Sequence, residues 1–148
     1  MPSPAAVVQL LKQHGIAQVK LYDTEPAVLR ALAGSGIKVV VALPNEQLAA
    51  ADRRPSYALA WVRRNVAAYY PATQIQGIAV GNEVTDSAGQ KTILPAMRNV
   101  QRAIMAAGLG GSVKVSTSLR FDVVTDTYPP SNGVFADLDF MGPIVDFL

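Results

Sequence analysis

The sequence predicts an α/β fold built on a four-stranded parallel sheet, and three observations predict it. Short apolar runs alternate with amphipathic runs through most of the 148 residues, the pattern of successive βα units. Strands are expected to start near Gln18, Lys38, Gly77 and Lys114, and every gap between them exceeds the roughly one dozen residues that a parallel crossover needs. The run Val39-Val40-Val41-Ala42-Leu43 is continuously apolar, as expected of a parallel strand covered on both faces.

Each element has its own signal. Ser3 suits an N-cap and Pro4 a first helical position. Val7, Leu10, Leu11 and His14 follow at helical spacing, and Gly15 supplies a left-handed stop. Gln18 to Asp23 reads as a strand ending in a polar pair. Pro26 opens a second helix carrying Val28, Leu29 and Leu32, closed by Gly34 or Gly36. After the apolar strand, Pro44-Asn45 ends the run. A third helix is expected from Pro55-Ser56, with Leu59, Val62, Val66 and Tyr69 on one face and Pro71 ending it. Gly77 to Gly81 is a short strand running into Asn82-Glu83-Val84. The fourth helix places Ile93, Met97, Val100 and Ile104 on one face, with Pro95 in its first turn or kinking it, and Gly108 near its end. Val113 to Thr117 is a further strand. Asp137 to Leu148 reads as an amphipathic helix with Phe140, Ile144 and Phe147 or Leu148 inward.

The chain stops on Phe147-Leu148 without a glycine, a basic last turn or a polar tail. A helix is capped within three residues of Met1, with no strand before it. Four parallel strands of this kind form either a small doubly wound domain or the β2-to-β5 stretch of an eight-stranded (β/α)8 barrel cut at both ends. No linker divides the chain, so residues 1–148 are expected to form a single domain, incomplete in the barrel case.

Composition excludes several functions. Half of the residues are hydrophobic, too many for disorder. There is no cysteine, hence no disulfide framework or cysteine zinc site. One histidine cannot build a multi-histidine metal centre. A net charge of +2 is weak footing for nucleic acid. No run of about 18 apolar residues is present to span a membrane. The start, Met1-Pro2-Ser3-Pro4, lacks a basic n-region and an apolar core; either the chain is cytosolic or its natural N-terminus is missing.

Among candidate sites, Gly108-Leu109-Gly110-Gly111-Ser112 follows a helix and precedes a strand, the reverse of a phosphate loop, so it reads as a helix stop. His14, in the last turn of a helix, suits the dipole there. Arg63-Arg64 reads as a solvated helix face, and Trp61 as packing. The strongest site is Val80-Gly81-Asn82-Glu83-Val84. Polar residues directly after a buried strand cost free energy unless they have partners or a task. At the C-terminal end of a parallel strand they face the mouth where α/β ligands bind. A partly desolvated glutamate there favours its neutral form and can donate a proton, and an asparagine offers donor and acceptor to a sugar hydroxyl. Tyr22-Asp23, Pro44-Asn45 and Ser116-Thr117-Ser118 end the other strands, which is the mixture of ring and short polar groups that a carbohydrate site needs.

Taken in order, Leu21-Tyr22-Asp23, Val41-Ala42-Leu43-Pro44-Asn45, Trp61-Val62-Arg63-Arg64-Asn65-Val66, Ile78-Ala79-Val80-Gly81-Asn82-Glu83-Val84, Ile93-Leu94-Pro95-Ala96-Met97-Arg98-Asn99-Val100, Val113-Lys114-Val115-Ser116-Thr117 and Tyr128-Pro129-Pro130-Ser131 resemble family 17 of the glycoside hydrolases, the plant endo-1,3-β-glucanases. The resemblance covers nearly the whole chain. It implies a partial (β/α)8 barrel, roughly strands 2–5 with their helices, from an enzyme that hydrolyses β-1,3-glucan with retention. It implies Glu83 as general acid/base, Asn82 as the residue binding the sugar beside the scissile bond, and Tyr22 and Asn45 as cleft lining. No metal or organic cofactor is implied. The family is usually secreted to the wall or apoplast and sometimes lipid-anchored.

Measured against that family, the first strand and everything after the fifth helix are missing, and the nucleophilic carboxylate comes from a strand beyond Leu148. A retaining glycosidase needs two carboxyl groups about 5–5.5 Å apart. Asp23 is the other acid placed directly at a strand end, two strands from Glu83. The chain alone is therefore expected to be inactive on laminarin-like polymer, and to self-associate through open sheet edges. A non-catalytic β-glucan-binding module from the same half barrel is the alternative. A small doubly wound nucleotide domain is the reading from another class, and the missing glycine fingerprint weighs against it.

Overall fold

A computed structural model describes residues 2–148; Met1, the first residue of the start discussed above, lies outside them. The chain order is α1 (Pro4–Gln13), β1 (Gln18–Lys20), α2 (Pro26–Leu32), β2 (Lys38–Leu43), α3 (Leu48–Arg53), α4 (Pro55–Val62), β3 (Gln74–Asn82), α5 (Ser87–Ala106), β4 (Lys114–Ser118), β5 (Val124–Thr125), β6 (Val134–Phe135) and α6 (Leu138–Phe147). A 3₁₀ turn at Asn45–Gln47 leads into α3, and a π-helical turn at Arg63–Ala67 follows α4.

The sheet order is β1-β2-β3-β4 with every pairing parallel. Strand order therefore follows chain order, with no reversal. One core joins Leu29 and Leu32 of α2, Trp61 and Val62 of α4, and Ile93, Met97 and Ile104 of α5 to Val39, Val41, Leu43, Ile78 and Val80 of the sheet. On the other face, Val40, Gly77, Ala79, Lys114 and Ser116 line an open hollow of about 380 Å³. A doubly wound sheet reverses its strand order and carries helices on both faces. This sheet does neither, so the doubly wound alternative falls and the arc of a barrel remains. The same geometry corrects one expectation for β2: Val39, Val41 and Leu43 are buried, but Val40 is only half-buried because it looks onto the hollow.

Local signals explain most elements. Ser3 Oγ accepts from Ala6 N at 3.2 Å and caps α1. Asp86 Oδ1 accepts from Gly89 N at 2.6 Å at the head of α5, and Asp137 Oδ1 accepts from Phe140 N at 3.0 Å at the head of α6. The face of α5 formed by Ile93, Met97, Val100 and Ile104 is buried, as its spacing demands. Trp61 is 1% exposed, a packing residue as read from its position.

Four details correct or narrow the sequence reading. On α1 the buried residue is Val8, while Val7 and Leu10 are exposed, because α1 packs chiefly on α2 at the rim of the sheet. Of the two placements expected for Pro95, the first turn of α5 falls and the helix interior remains, where its ring removes the bond that the Lys91 carbonyl would otherwise accept. On α6 Met141 joins Ile144 inside, and Leu148 is exposed. Helix α3 and the two-residue strands β5 and β6, paired antiparallel, have no counterpart in the sequence reading.

Candidate active site

The C-terminal ends of the four strands converge on Asn82. Strand β3 gets there by an irregular path. Two residues of β3 advance against one of β2 between Val39 and Val40, since their partners are Ile75 and Gly77. A second extra residue sits between Ala79 and Asn82, which pair with Ser116 and Ser118. Bulges of this kind bend a strand and re-aim the side chains beyond them. The second bulge contains Gly81 at φ +75. A Cβ there would sit 3.1 Å from Leu48 Cδ1 and 3.3 Å from Asn45 Oδ1, so both the backbone angle and the space call for glycine.

Asn82, partly buried, is held from β1 and from the turn after β2, and it pairs with Ser118 of β4. From the turn after β2, Asn45 Oδ1 accepts from Asn82 N at 2.7 Å, and Asn45 Nδ2 donates to Asn82 O at 2.9 Å. From β1, Lys20 Nζ donates to Asn82 Oδ1 at 3.1 Å and to Ser118 Oγ, on β4, at 2.6 Å. Ser118 O accepts from Glu83 N at 2.8 Å. Just below, Thr117 Oγ1 donates to Val80 O at 2.8 Å. The polar cost of placing an asparagine at a buried strand's end is thus met by partners.

Glu83 is the next residue, in a left-handed conformation at φ 49. That is costly for a residue with a Cβ, of order 1–3 kcal/mol, and such outliers cluster where geometry serves chemistry. Its side chain is exposed; the partial desolvation expected from sequence is not present among the described residues. Arg120 and Asp122 form an ion pair at 3.0 Å, and no arginine pairs with Glu83 among the described residues.

Of the other expected site residues, Tyr22 is 69% exposed, and the Lys20 ammonium lies 4.8 Å from the centre of its ring. Asn45 stands at the strand ends as expected, with its amide spent on the main chain of Asn82. Asp23 is occupied in a turn, where its Oδ1 accepts from Glu25 N at 3.1 Å. The sequence reading missed Lys20 as part of the cluster and did not single out Ser118 within its strand end. Lys20 alternates with Tyr22, so the pair share a side of an extended segment, but that spacing says nothing of its contacts to Asn82 and Ser118, 62 and 98 residues away in the chain.

A sequential parallel sheet with helices on one face, and an acid beside an anchored asparagine at its C-terminal rim, defines the arc of an α/β barrel with polar groups at the rim where such barrels carry their sites. Residues 1–148 match the family described as glycosyl hydrolases family 17, and the chain belongs to that family. It is 52% identical over 149 aligned positions to the glucan endo-1,3-beta-glucosidase GIII of Hordeum vulgare, covering 100% of this chain and 44% of that protein. To the GV enzyme of the same plant it is 46% identical, covering 100% of this chain and 47% of the other. Among solved structures, a beta-1,3-glucanase and allergen of Cryptomeria japonica pollen superposes with a TM-score of 0.94 at 37% identity. It covers 100% of this chain and 48% of that one. The structure described as two plant beta-glucan endohydrolases with distinct substrate specificities gives 0.94 at 40% identity, with the same coverage. The chain spans about half the length of the relatives it matches, and its four-stranded sheet is a partial α/β barrel.

Proposed function

We propose that the protein to which these residues belong is a retaining endo-hydrolase of β-1,3-glucan, with Glu83 as its general acid/base. One observation carries this reading. Glu83 stands free of ion pairs among the described residues, on a left-handed turn beside an asparagine hydrogen-bonded by Lys20 of β1 and by Asn45 after β2, in a chain of the family given above. A carboxyl group in that position first protonates the leaving glycosidic oxygen and then takes a proton from the incoming water. Asn82 binds a hydroxyl of the sugar beside the scissile bond. Tyr22 offers an exposed ring to a sugar face at the cleft wall, and Asn45 holds the floor on which Asn82 stands.

Double displacement also needs a nucleophilic carboxylate about 5–5.5 Å from the acid. Asp23 is engaged in its own turn at the end of a strand two places away. The resemblance to the family assigns the nucleophile to a strand outside residues 1–148; on that reading these residues form part of one catalytic domain and alone do not turn over glucan. The relatives' family points to the cell wall or apoplast; no helix among the described residues is long and apolar enough to cross a membrane.

The test is reducing-end release from laminarin by the whole protein, with the product anomer followed by proton NMR. The expected result is initial release of the β-anomer, and a loss of about 10²–10⁴-fold in rate in Glu83→Gln. Turnover unaffected by Glu83→Gln removes Glu83 from the mechanism. Saturable laminari-oligosaccharide binding without turnover by the whole protein favours the binding-module reading instead. Turnover by residues 1–148 alone, abolished by Glu83→Gln, places the second carboxylate within them.

A further inference from the structure

Lys20 ties three strand ends together. Its ammonium donates to Asn82 Oδ1 on β3 and Ser118 Oγ on β4, and lies 4.8 Å from the ring centre of Tyr22 on its own segment. An ammonium has three donors and no acceptor. Two are spent on hydrogen bonds, and the cation also sits within range of an aromatic π-face.

The consequence falls on Asn82. A side-chain amide presents oxygen on one arm and NH₂ on the other, and a flip exchanges them. A cation that only donates admits only the oxygen on the arm facing it. Nδ2 is then the other arm, and it has no protein partner among the described residues. The main chain of Asn82 is fixed independently by Asn45, so backbone and side chain are both set before any ligand arrives.

We propose that Lys20 is a positioning residue that locks the Asn82 amide with Nδ2 presented as the donor to a sugar hydroxyl, and that it holds Tyr22 as the neighbouring wall of the same subsite. The inference rests on reading the strand ends as a β-glucan site. Without the cation, the amide samples both orientations and offers an acceptor where the sugar needs a donor. Ser118 is the second anchor, keeping the ammonium over Asn82.

The test compares the whole protein with Lys20→Met, which keeps the stem and removes the charge, and with Lys20→Arg, which restores a cation. Two readouts are taken: laminaritriose affinity by calorimetry, and the Asn82 side-chain NH₂ signals in ¹⁵N spectra, assigned by their loss in Asn82→Asp. Lys20→Met is expected to weaken laminaritriose about ten-fold, to shift the Asn82 NH₂ signals, and to leave the thermal midpoint close to that of the parent. Lys20→Arg is expected to recover most of both. Unchanged affinity, or unmoved Asn82 signals, in Lys20→Met overturns the proposal. If laminaritriose does not bind the parent protein, yet the signals move in Lys20→Met and return in Lys20→Arg, the positioning stands and only the glucan reading falls. Should Lys20→Met lose stability, Ser118→Ala removes one anchor while keeping the charge. It is then expected to shift the same signals in the same direction, and unmoved signals there overturn the proposal.

Discussion

Asn45 grips the peptide of Asn82 at both ends, accepting from its N–H at 2.7 Å and donating to its carbonyl at 2.9 Å. A side-chain amide here does what a neighbouring strand does elsewhere in the sheet. Strand β2 ends at Leu43, opposite Val80, two residues before Asn82. Beyond that point β3 has no ladder partner from β2, and the asparagine takes its place. The main chain of Asn82 is therefore fixed at this rim by side-chain hydrogen bonds in place of a strand ladder.

Asn45→Ala is expected to lower stability by about 1–2 kcal/mol, the net of two hydrogen bonds lost at a partly buried site. Amide exchange at Asn82 N should quicken beyond the global effect. Asn45→Asp keeps the acceptor for Asn82 N but turns a carboxylate oxygen towards Asn82 O, so it should not recover the parent's stability. Urea denaturation with native-state hydrogen exchange reads both; an Asp variant as stable as the parent would show that the contact to Asn82 O contributes nothing.

Gly81→Ala is expected to cost about 1–3 kcal/mol. The residue sits at φ +75, and the new Cβ would press on Leu48 Cδ1 and Asn45 Oδ1. Because the second contact is the clamp itself, Asn82 should lose protection together with global stability. Gly111→Ala, with φ outside the left-handed range and nothing within 4 Å of its Cβ, is the control and should be close to neutral. Equal denaturation midpoints for the two variants would contradict the bulge geometry.

What the sequence disclosed follows from what is local. Ser3-Pro4 announces α1, the five apolar residues from Val39 announce β2, and the 3.6-residue spacing from Ile93 to Ile104 announces the buried face of α5. Glu83 was legible because a polar pair straight after an apolar strand needs a reason. Lys20 was not, because its reach to Asn82 and Ser118 depends on the order and register of three strands and on a bulge that no local pattern encodes. Helix α3 was missed for a related cause. Its N-cap, Gln47, makes no side-chain bond to the helix, so no capping signature marks its start, and its support comes from α5 instead.

Glu83→Gly is expected to be more stable than Glu83→Ala by about 1 kcal/mol, since alanine keeps the left-handed strain at φ 49 and glycine relieves it. The exposed carboxylate contributes little packing that either variant would lose. Both should abolish glucan hydrolysis by the whole protein, so the pair separates conformational cost from chemistry. Guanidinium unfolding measures the difference, and an alanine variant as stable as the glycine one would mean that the turn stores no strain.

Asn99→Ala is expected to destabilise by about 2–3 kcal/mol without touching the strand ends. Asn99, 7% exposed on α5, donates through Nδ2 to the carbonyls of Ala51 at 2.9 Å and Asp52 at 2.8 Å. These lie in the last turn of α3, where carbonyls have no partner within the helix. Asn99→Leu fills the space but leaves the carbonyls unpaired, so it should recover little. Full recovery by leucine, in thermal melts, would assign the site to packing rather than hydrogen bonding.

Residues 1–148 on their own are expected to associate as concentration rises. Strand β1 is a three-residue edge, and beside it Val7, Leu11, Val19, Leu21 and Val28 line an open apolar groove of about 200 Å³. Edges and exposed apolar clefts of this sort invite pairing with another chain. Val7 is 39% exposed and Leu10 53%, so a Val7→Glu, Leu10→Lys double variant should move the population towards monomer in light scattering with little loss of stability. A single monomer peak for the unmodified chain at high concentration, with a cooperative melt, would show that the groove and edge are tolerated as they stand.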